Sequence, residues 1–253
     1  MSRIVAIANQ KGGVGKTTTA INLAAAIAAF DHRVLLLDLD PQANATSGMG
    51  FSKREEATTY RGLLSGDMGL AVRESGFSNL WVAPSGRDLV GAEIELVEQA
   101  DRESRLRFSL GGIRSAYDLI FIDCPPSLSL LTVNALAAAD SVLVPIQTEY
   151  FALEGLSELL ETVERVRSSF NPLLSIEGIV LTMFDERTNL ARQVVEDIRS
   201  HLGEKVFETV IPRNVRLGEA PSFGKPVLSY DIKSKGAEAY LALGREFLKR
   251  AKK

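Results

Sequence analysis

The chain has 253 residues, 45% of them hydrophobic and 24% charged, with a formal net charge of −3, and so is long enough to bury a large core without covalent staples. That balance excludes a polycation that coats nucleic acid by bulk attraction, although a local basic patch remains open because affinity depends on the phosphates neutralised at the contact. A single cysteine, Cys124, and two histidines exclude an internal disulfide and a four-thiolate cluster and argue against a zinc centre.

The first predicted strand covers residues 4–8, Ile-Val-Ala-Ile-Ala. It stops at Asn9, too short for a signal-peptide core, and no later run approaches the ~20 apolar residues that span a bilayer. We therefore expect a cytoplasmic protein. Next comes Lys11-Gly12-Gly13-Val14-Gly15-Lys16-Thr17-Thr18, between this strand and an Ala- and Leu-rich helical pattern over 17–30. Glycines let a backbone wrap closely around phosphate oxygens, and a helix N-terminus adds partial positive charge. In such a loop Lys16 reaches the β- and γ-phosphates of ATP and the Thr17 hydroxyl ligates Mg²⁺. The match to G-x-x-x-x-G-K-[ST] is imperfect: Gln10 stands where the first glycine belongs, and Lys11 follows it. A second cation suits a site that must neutralise extra negative charge.

A second strand is predicted over 34–38 and leads into Asp38-Leu39-Asp40-Pro41-Gln42. Alternate residues of a strand share a face, so Asp38 and Asp40 can both point toward one site. One of them can position an attacking water, and capping of the next element fits either equally well. Residues 44–79 show no clear period. Further strands are predicted over 80–83 and 119–123, the latter ending in Asp123 before Cys124-Pro125-Pro126. A carboxylate at the carboxyl edge of a buried strand sits where α/β sheets bind ligands and can hold Mg²⁺.

The remaining strands are predicted over 142–145, 179–182 and 206–210, and helices over 153–170, 189–202 and 236–250. Most strand runs are continuously apolar, the mark of strands covered on both faces. Alternation with helices predicts an α/β fold with a doubly wound, mostly parallel sheet and helices on both faces. We expect one domain over residues 1–253.

These motifs together resemble the deviant Walker-type P-loop ATPases that include ParA and MinD. Within that family the segments Glu149-Tyr150-Phe151-Ala152-Leu153-Glu154-Gly155-Leu156 and Ile211-Pro212-Arg213-Asn214-Val215-Arg216-Leu217-Gly218-Glu219-Ala220-Pro221-Ser222 are similar to the short, chromosomal ParA (Soj-type) branch. The resemblance implies that Lys11 is the signature lysine, that Asp40 orients water, and that Asp123 senses magnesium. It also implies that Pro212, Asn214 and Glu219 lie around adenine and ribose, although each can equally be a loop-structuring residue. It further implies an ATP-bound homodimer, non-specific binding to double-stranded DNA, slow hydrolysis stimulated by a ParB-type partner, and association with the nucleoid.

For the DNA contact the expected residues are Arg187, Arg216, Lys225, Lys233 and Lys235, each of which alone reads as an ordinary surface charge. The lone cysteine argues against the iron–sulfur branch. The MinD-like alternative is a membrane-surface regulator with an amphipathic tail. The tail here, residues 240–253, carries Leu241, Phe247 and Leu248 with basic residues. Packing of that helix on the core is the expected use, with no stable membrane association. No N-terminal DNA-reading domain is expected.

Overall fold

The computed structural model describes residues 2–54, 58–149 and 152–251, with the side chains of 152–155 outside the description. Tyr150 and Phe151 of the 149–156 segment, and the closing Lys252 and Lys253, lie outside the described residues. Within them the strands are β1 (Arg3–Ile7), β2 (Val34–Asp38), β3 (Arg73–Glu74), β4 (Leu80–Ala83), β5 (Leu119–Asp123), β6 (Ser141–Gln147), β7 (Ser175–Phe184) and β8 (Val206–Pro212). They form one sheet in the order β3-β4-β2-β5-β1-β6-β7-β8. Every pairing is parallel except the short β3–β4 edge.

Successive side chains of a strand point to opposite faces, and both faces are covered. One face presents Ile4, Ala6, Leu35, Leu37, Ile120 and Ile122, among others. Against it pack α3 (Thr59–Ser65), α4 (Leu89–Glu95), α5 (Arg105–Gly111), α6 (Leu130–Ala138), α7 (Ala152–Ser169) and α8 (Asn189–Leu202), after α1 (Lys16–Ala28) and α2 (Asn44–Gly48) in the chain. The other face presents Val5, Ile7, Val34, Leu36 and Phe121. There lie α1, α2, α9 (Val215–Glu219), α10 (Val227–Tyr230) and α11 (Lys235–Arg250). This two-sided burial is why the strands read as continuous apolar runs.

Helix α1 is buried along almost its whole length, enclosed between the sheet and α11. Its small alanines permit that close approach. Gly244 of α11 faces the Ala26 side chain, where a Cβ would come within 3.2 Å. Helix α11 buries Ala237, Tyr240, Leu243 and Phe247, and Leu241 and Leu248 pack partly buried against the same core. The apolar face of the tail is thus spent on the fold. No helix among the described residues is long and apolar enough to cross a membrane.

The chain reverses direction across the sheet at β1, running outward to β2 and β4 on one side and to β6, β7 and β8 on the other. Ligands of open α/β sheets bind beyond the carboxyl ends of strands at such a switch point. The loop at residues 9–15 leaves β1 there.

Candidate nucleotide site

The loop turns on Gly13 and Gly15, at φ +76° and +85°. Gly15 caps α1 in the left-handed region, which side-chain-bearing residues rarely adopt. Neighbouring strands pin the loop. Asn9 Nδ2 donates to the Pro145 carbonyl at 2.8 Å, and Asn9 Oδ1 accepts from the Lys11 amide at 3.0 Å. Thr182 Oγ1, on β7, donates to the Val14 carbonyl at 2.8 Å. The loop is therefore preorganised by β6 and β7 as well as by its own glycines.

Lys16 is buried, and its ammonium donates to the Lys11 carbonyl at 2.9 Å. Burial lowers its ionisation below the ordinary lysine value, while Asp123 and Asp40 act to raise it. Lys11 is half-buried and reaches outward, its Nζ 3.3 Å from Glu149 Oε2. Gly12 and Gly13 are exposed, Val14 is buried, and Thr17 and Thr18 are half-buried on the first turn of α1.

Three carboxylates converge on this loop. Asp123 and Asp38 are partners in register across β5 and β2, and Asp123 pairs with Ile7 of β1 on its other side. Both Asp38 and Asp123 are fully buried. Burial first, then the neighbouring Asp38, push the Asp123 carboxyl well above its ordinary range, with the Thr17 hydroxyl and Lys16 pulling the other way. Among the described residues neither Asp123 oxygen closes a hydrogen bond. An unpaired buried carboxylate is strongly unfavourable unless a cation completes it. With the Thr17 hydroxyl alongside, this all-oxygen donor set fits Mg²⁺. Asp123 is also free of helix capping, since α6 starts only at Leu130.

Asp38 is held differently. Its Oδ2 accepts from the Thr46 amide and hydroxyl, each at 2.7 Å, and Oδ1 accepts from the Asp40 amide at 3.1 Å. Burial nevertheless raises its carboxyl to about 6. Ser85 completes the chain, its amide donating to Thr46 Oγ1 at 2.7 Å and its hydroxyl to the Asp40 carbonyl at 2.8 Å. Asp40 is buried and spends Oδ1 on the Gln42 amide at 2.8 Å; its Oδ2 accepts no hydrogen bond among the described residues. The two aspartates, equivalent by pattern, thus separate into an anchored one and one with a free oxygen. Thr46, Ser85, Asn9 and Thr182 were not singled out from sequence. Of these, Asn9 and Thr182, polar residues that end buried runs, gave a signal there.

Beside the loop lies a cavity of about 300 Å³ lined by Gly15, Thr18, Met183, Pro212, Asn214 and Tyr240, among others. Its mainly apolar wall and its contact with the start of α1 suit a flat aromatic base. Glu219 does not line it: its carboxylate takes Arg216 at 2.7 Å and the Tyr230 hydroxyl at 3.1 Å.

A family model described as an AAA domain matches residues 2–176. The chain is 57% identical over 252 residues to the chromosome partitioning protein ParA of Myxococcus xanthus, covering 99% of this chain and 89% of that protein. The chain belongs to the ParA family. It is 53% identical to the sporulation initiation inhibitor protein Soj of Bacillus subtilis, with 97% and 98% covered. Among solved structures, a Mycobacterium smegmatis protein named cobyrinic acid a,c-diamide synthase, with bound ADP and magnesium, matches with a TM-score of 0.88 at 35% identity over 100% of this chain and 96% of that one. The ParA and Soj relatives place this chain among the P-loop ATPases of chromosome partitioning.

The basic residues expected to meet DNA lie apart from the loop. Arg187 follows β7 and pairs with Asp185 at 2.6 Å; Arg216, on α9, pairs with Glu219 at 2.7 Å and Asp231 at 3.3 Å. Lys225, Lys233 and Lys235 are exposed and hold no ion pair among the described residues. Lys235 and Arg187 line a common cleft of about 330 Å³, together with Arg213, which sequence reasoning did not select.

Proposed function

We propose that this chain is an ATP-operated switch for DNA partitioning: it binds ATP and Mg²⁺, dimerises face to face, and in that state holds DNA without sequence preference. The observation that carries the reading is the pair of lysines on one loop, with Lys16 turned into the site and Lys11 turned out of it. Lys16 serves the phosphates of its own subunit. Lys11 is placed to serve those of a second copy.

Magnesium, when bound, neutralises phosphate charge, and Asp123 and Thr17 are the residues to hold it. Asp40 orients the attacking water through its free Oδ2, while Asp38 anchors the backbone that carries Asp40. Gly12 to Thr18 cradle the phosphates, and Pro212 and Asn214 border the base. Glu219 acts at one remove, by fixing Arg216. Hydrolysis is slow until a ParB-type partner stimulates it, and it then returns the protein to its DNA-free form. A single continuous sheet supports a one-domain organisation, with the protein moving between cytoplasm and nucleoid.

The DNA surface is built from Arg187, Arg216, Lys225, Lys233 and Lys235. The ion pairs of Arg187 and Arg216 are exposed and screened by solvent, so a phosphate can replace the carboxylate. A metabolic ligase reading, suggested by the name of the mycobacterial structure, finds little support. Cys124, the chain's only cysteine, is buried and its thiol is pushed far up by that burial, so it is no nucleophile. Titration of two unrelated duplexes with ATP, ADP or no nucleotide tests the proposal. Tight binding to both duplexes with ATP alone is expected; equal binding in all three conditions contradicts it.

A further inference from the structure

The loop after α2 meets the loop before α10 backbone to backbone, through Gly50 and Gly224. Both are left-handed, at φ +84° and +64°. A Cβ on Gly224 would lie 2.6 Å from Gly50 Cα and 3.0 Å from Gly50 N, and one on Gly50 would lie 3.0 Å from the Gly224 carbonyl oxygen. Alongside them, a Cβ on Gly48 would lie 3.5 Å from Pro221 Cβ and 2.6 Å from Ile21 Cδ1. The end of α2 is thus seated between α1 and the segment 220–224.

Each side of this contact leads somewhere. Helix α2 hangs on the nucleotide site through Thr46, both of whose donors end on Asp38 Oδ2. The segment 220–224 joins α9, which carries Arg216, to Lys225 and α10. Arg216 reaches across to Asp231 just beyond α10. A second tether runs from the phosphate loop's own helix: Asn22 Nδ2 donates to the Thr18 carbonyl at 2.8 Å, and Asn22 Oδ1 accepts from the Val227 amide at 2.7 Å.

Resting on the reading above, we propose that the Gly50–Gly224 contact is the link by which the nucleotide site sets the basic surface. Gly50 and Gly224 are positioning residues. A contact made of backbone alone has no rotamer to absorb a displacement, so movement of α2 is handed on as movement of the Arg216 and Lys225 segment. Close-packed elements transmit small shifts in this way rather than damping them. Binding linkage then requires that DNA tighten ATP by the same factor by which ATP tightens DNA.

The test measures fluorescence anisotropy of a labelled duplex with ATP and with ADP, giving a coupling ratio for each protein. The wild-type ratio is expected to be about tenfold or more, within the usual span of allosteric couplings. Gly224→Ala and Gly50→Ala should bring the ratio close to one while a fluorescent ATP analogue still binds as tightly. Gly112→Ala, whose Cβ meets nothing within 4 Å, should keep the ratio. Should the alanine variants fail to fold, Pro221→Gly loosens the 220–224 segment beside Gly48 without adding bulk and is expected to lower the ratio.

Folded Gly50 and Gly224 variants that keep the full ratio overturn the link. So does an equal loss of DNA binding with ATP and ADP, since the glycines would then merely shape the surface. A wild-type ratio of one sinks the DNA-switch reading itself and the link with it. A high wild-type ratio with unaffected variants sinks the link alone.

Discussion

Asp38 and Asp123 stand side by side in register on adjacent strands, both fully buried, yet Asp38 is anchored by hydrogen bonds at both oxygens while Asp123 has only the Thr17 hydroxyl nearby among the described residues. Two neighbouring carboxylates in low dielectric disfavour their own ionisation. Burial and this closeness together make ionisation of the pair costly, a cost that a bound cation relieves.

Burial of the Asp38 carboxyl, opposed by its hydrogen bonds, gives a pH dependence of definite sign. Asp38 loses its proton near 3.8 when unfolded and at about 6 when folded. Between these values the native state binds more protons, so stability falls as pH rises through the window. The full penalty, on the order of 2–3 kcal/mol at ~1.4 kcal/mol per pH unit, is present above the folded value. Metal-free protein should melt at a higher temperature near pH 5.5 than near pH 7.5, and Asp38→Asn should reduce the difference while buried Asp123 keeps its own share of it. Calorimetry that shows melting temperature rising with pH over this range contradicts the assignment.

Thr46 is predicted to matter for stability out of proportion to its size. Thr46→Val removes the hydroxyl donor to Asp38 Oδ2 and the acceptor for the Ser85 amide. Leaving buried groups unpaired costs about 1–3 kcal/mol each. Urea unfolding should show a loss in that range, and a neutral variant would mean that the network relaxes around the site.

The tail helix supports a third prediction. Phe247 is fully buried, with its ring centroid 5.7 Å from that of Phe121 in the sheet. Phe247→Ala should destabilise by about 3–5 kcal/mol, as large-to-small core changes do. A tail that served chiefly as a detachable anchor would tolerate the change, and thermal melting distinguishes the two.

Most of the sheet was legible because buried strands and long helices announce themselves by period. The strands at 34–38, 80–83 and 119–123 and the helix at 189–202 fall where expected. Residues 44–79 resisted because α2 and α3 are only one to two turns long and β3 has two residues. Elements this short show no full period, and their order comes from tertiary contacts such as Thr46 to Asp38. Helix α6 was missed for another reason: it is buried on nearly all sides, so its polar and apolar residues mark no face. The phosphate loop could be read directly, because its chemistry depends on residue types at fixed spacing. The split between Asp38 and Asp40 could not, since it depends on which amides fold back onto each carboxylate.

The basic surface should behave as an electrostatic one. Arg216→Ala is expected to weaken binding to unrelated duplexes uniformly and to lower the slope of log affinity against log salt by about one. Sequence-selective loss would point instead to base contacts.

If ATP is a dimerisation signal read through Lys11, light scattering of Asp40→Ala protein with Mg-ATP should find a stable particle of twice the 27.5 kDa chain mass, reverting to a single chain with ADP. Adding Lys11→Ala should abolish the dimer while ATP still binds, whereas Lys16→Ala should lose the nucleotide itself. A mass of one chain with ATP, or a dimer that persists without Lys11, would rule out dimerisation through Lys11.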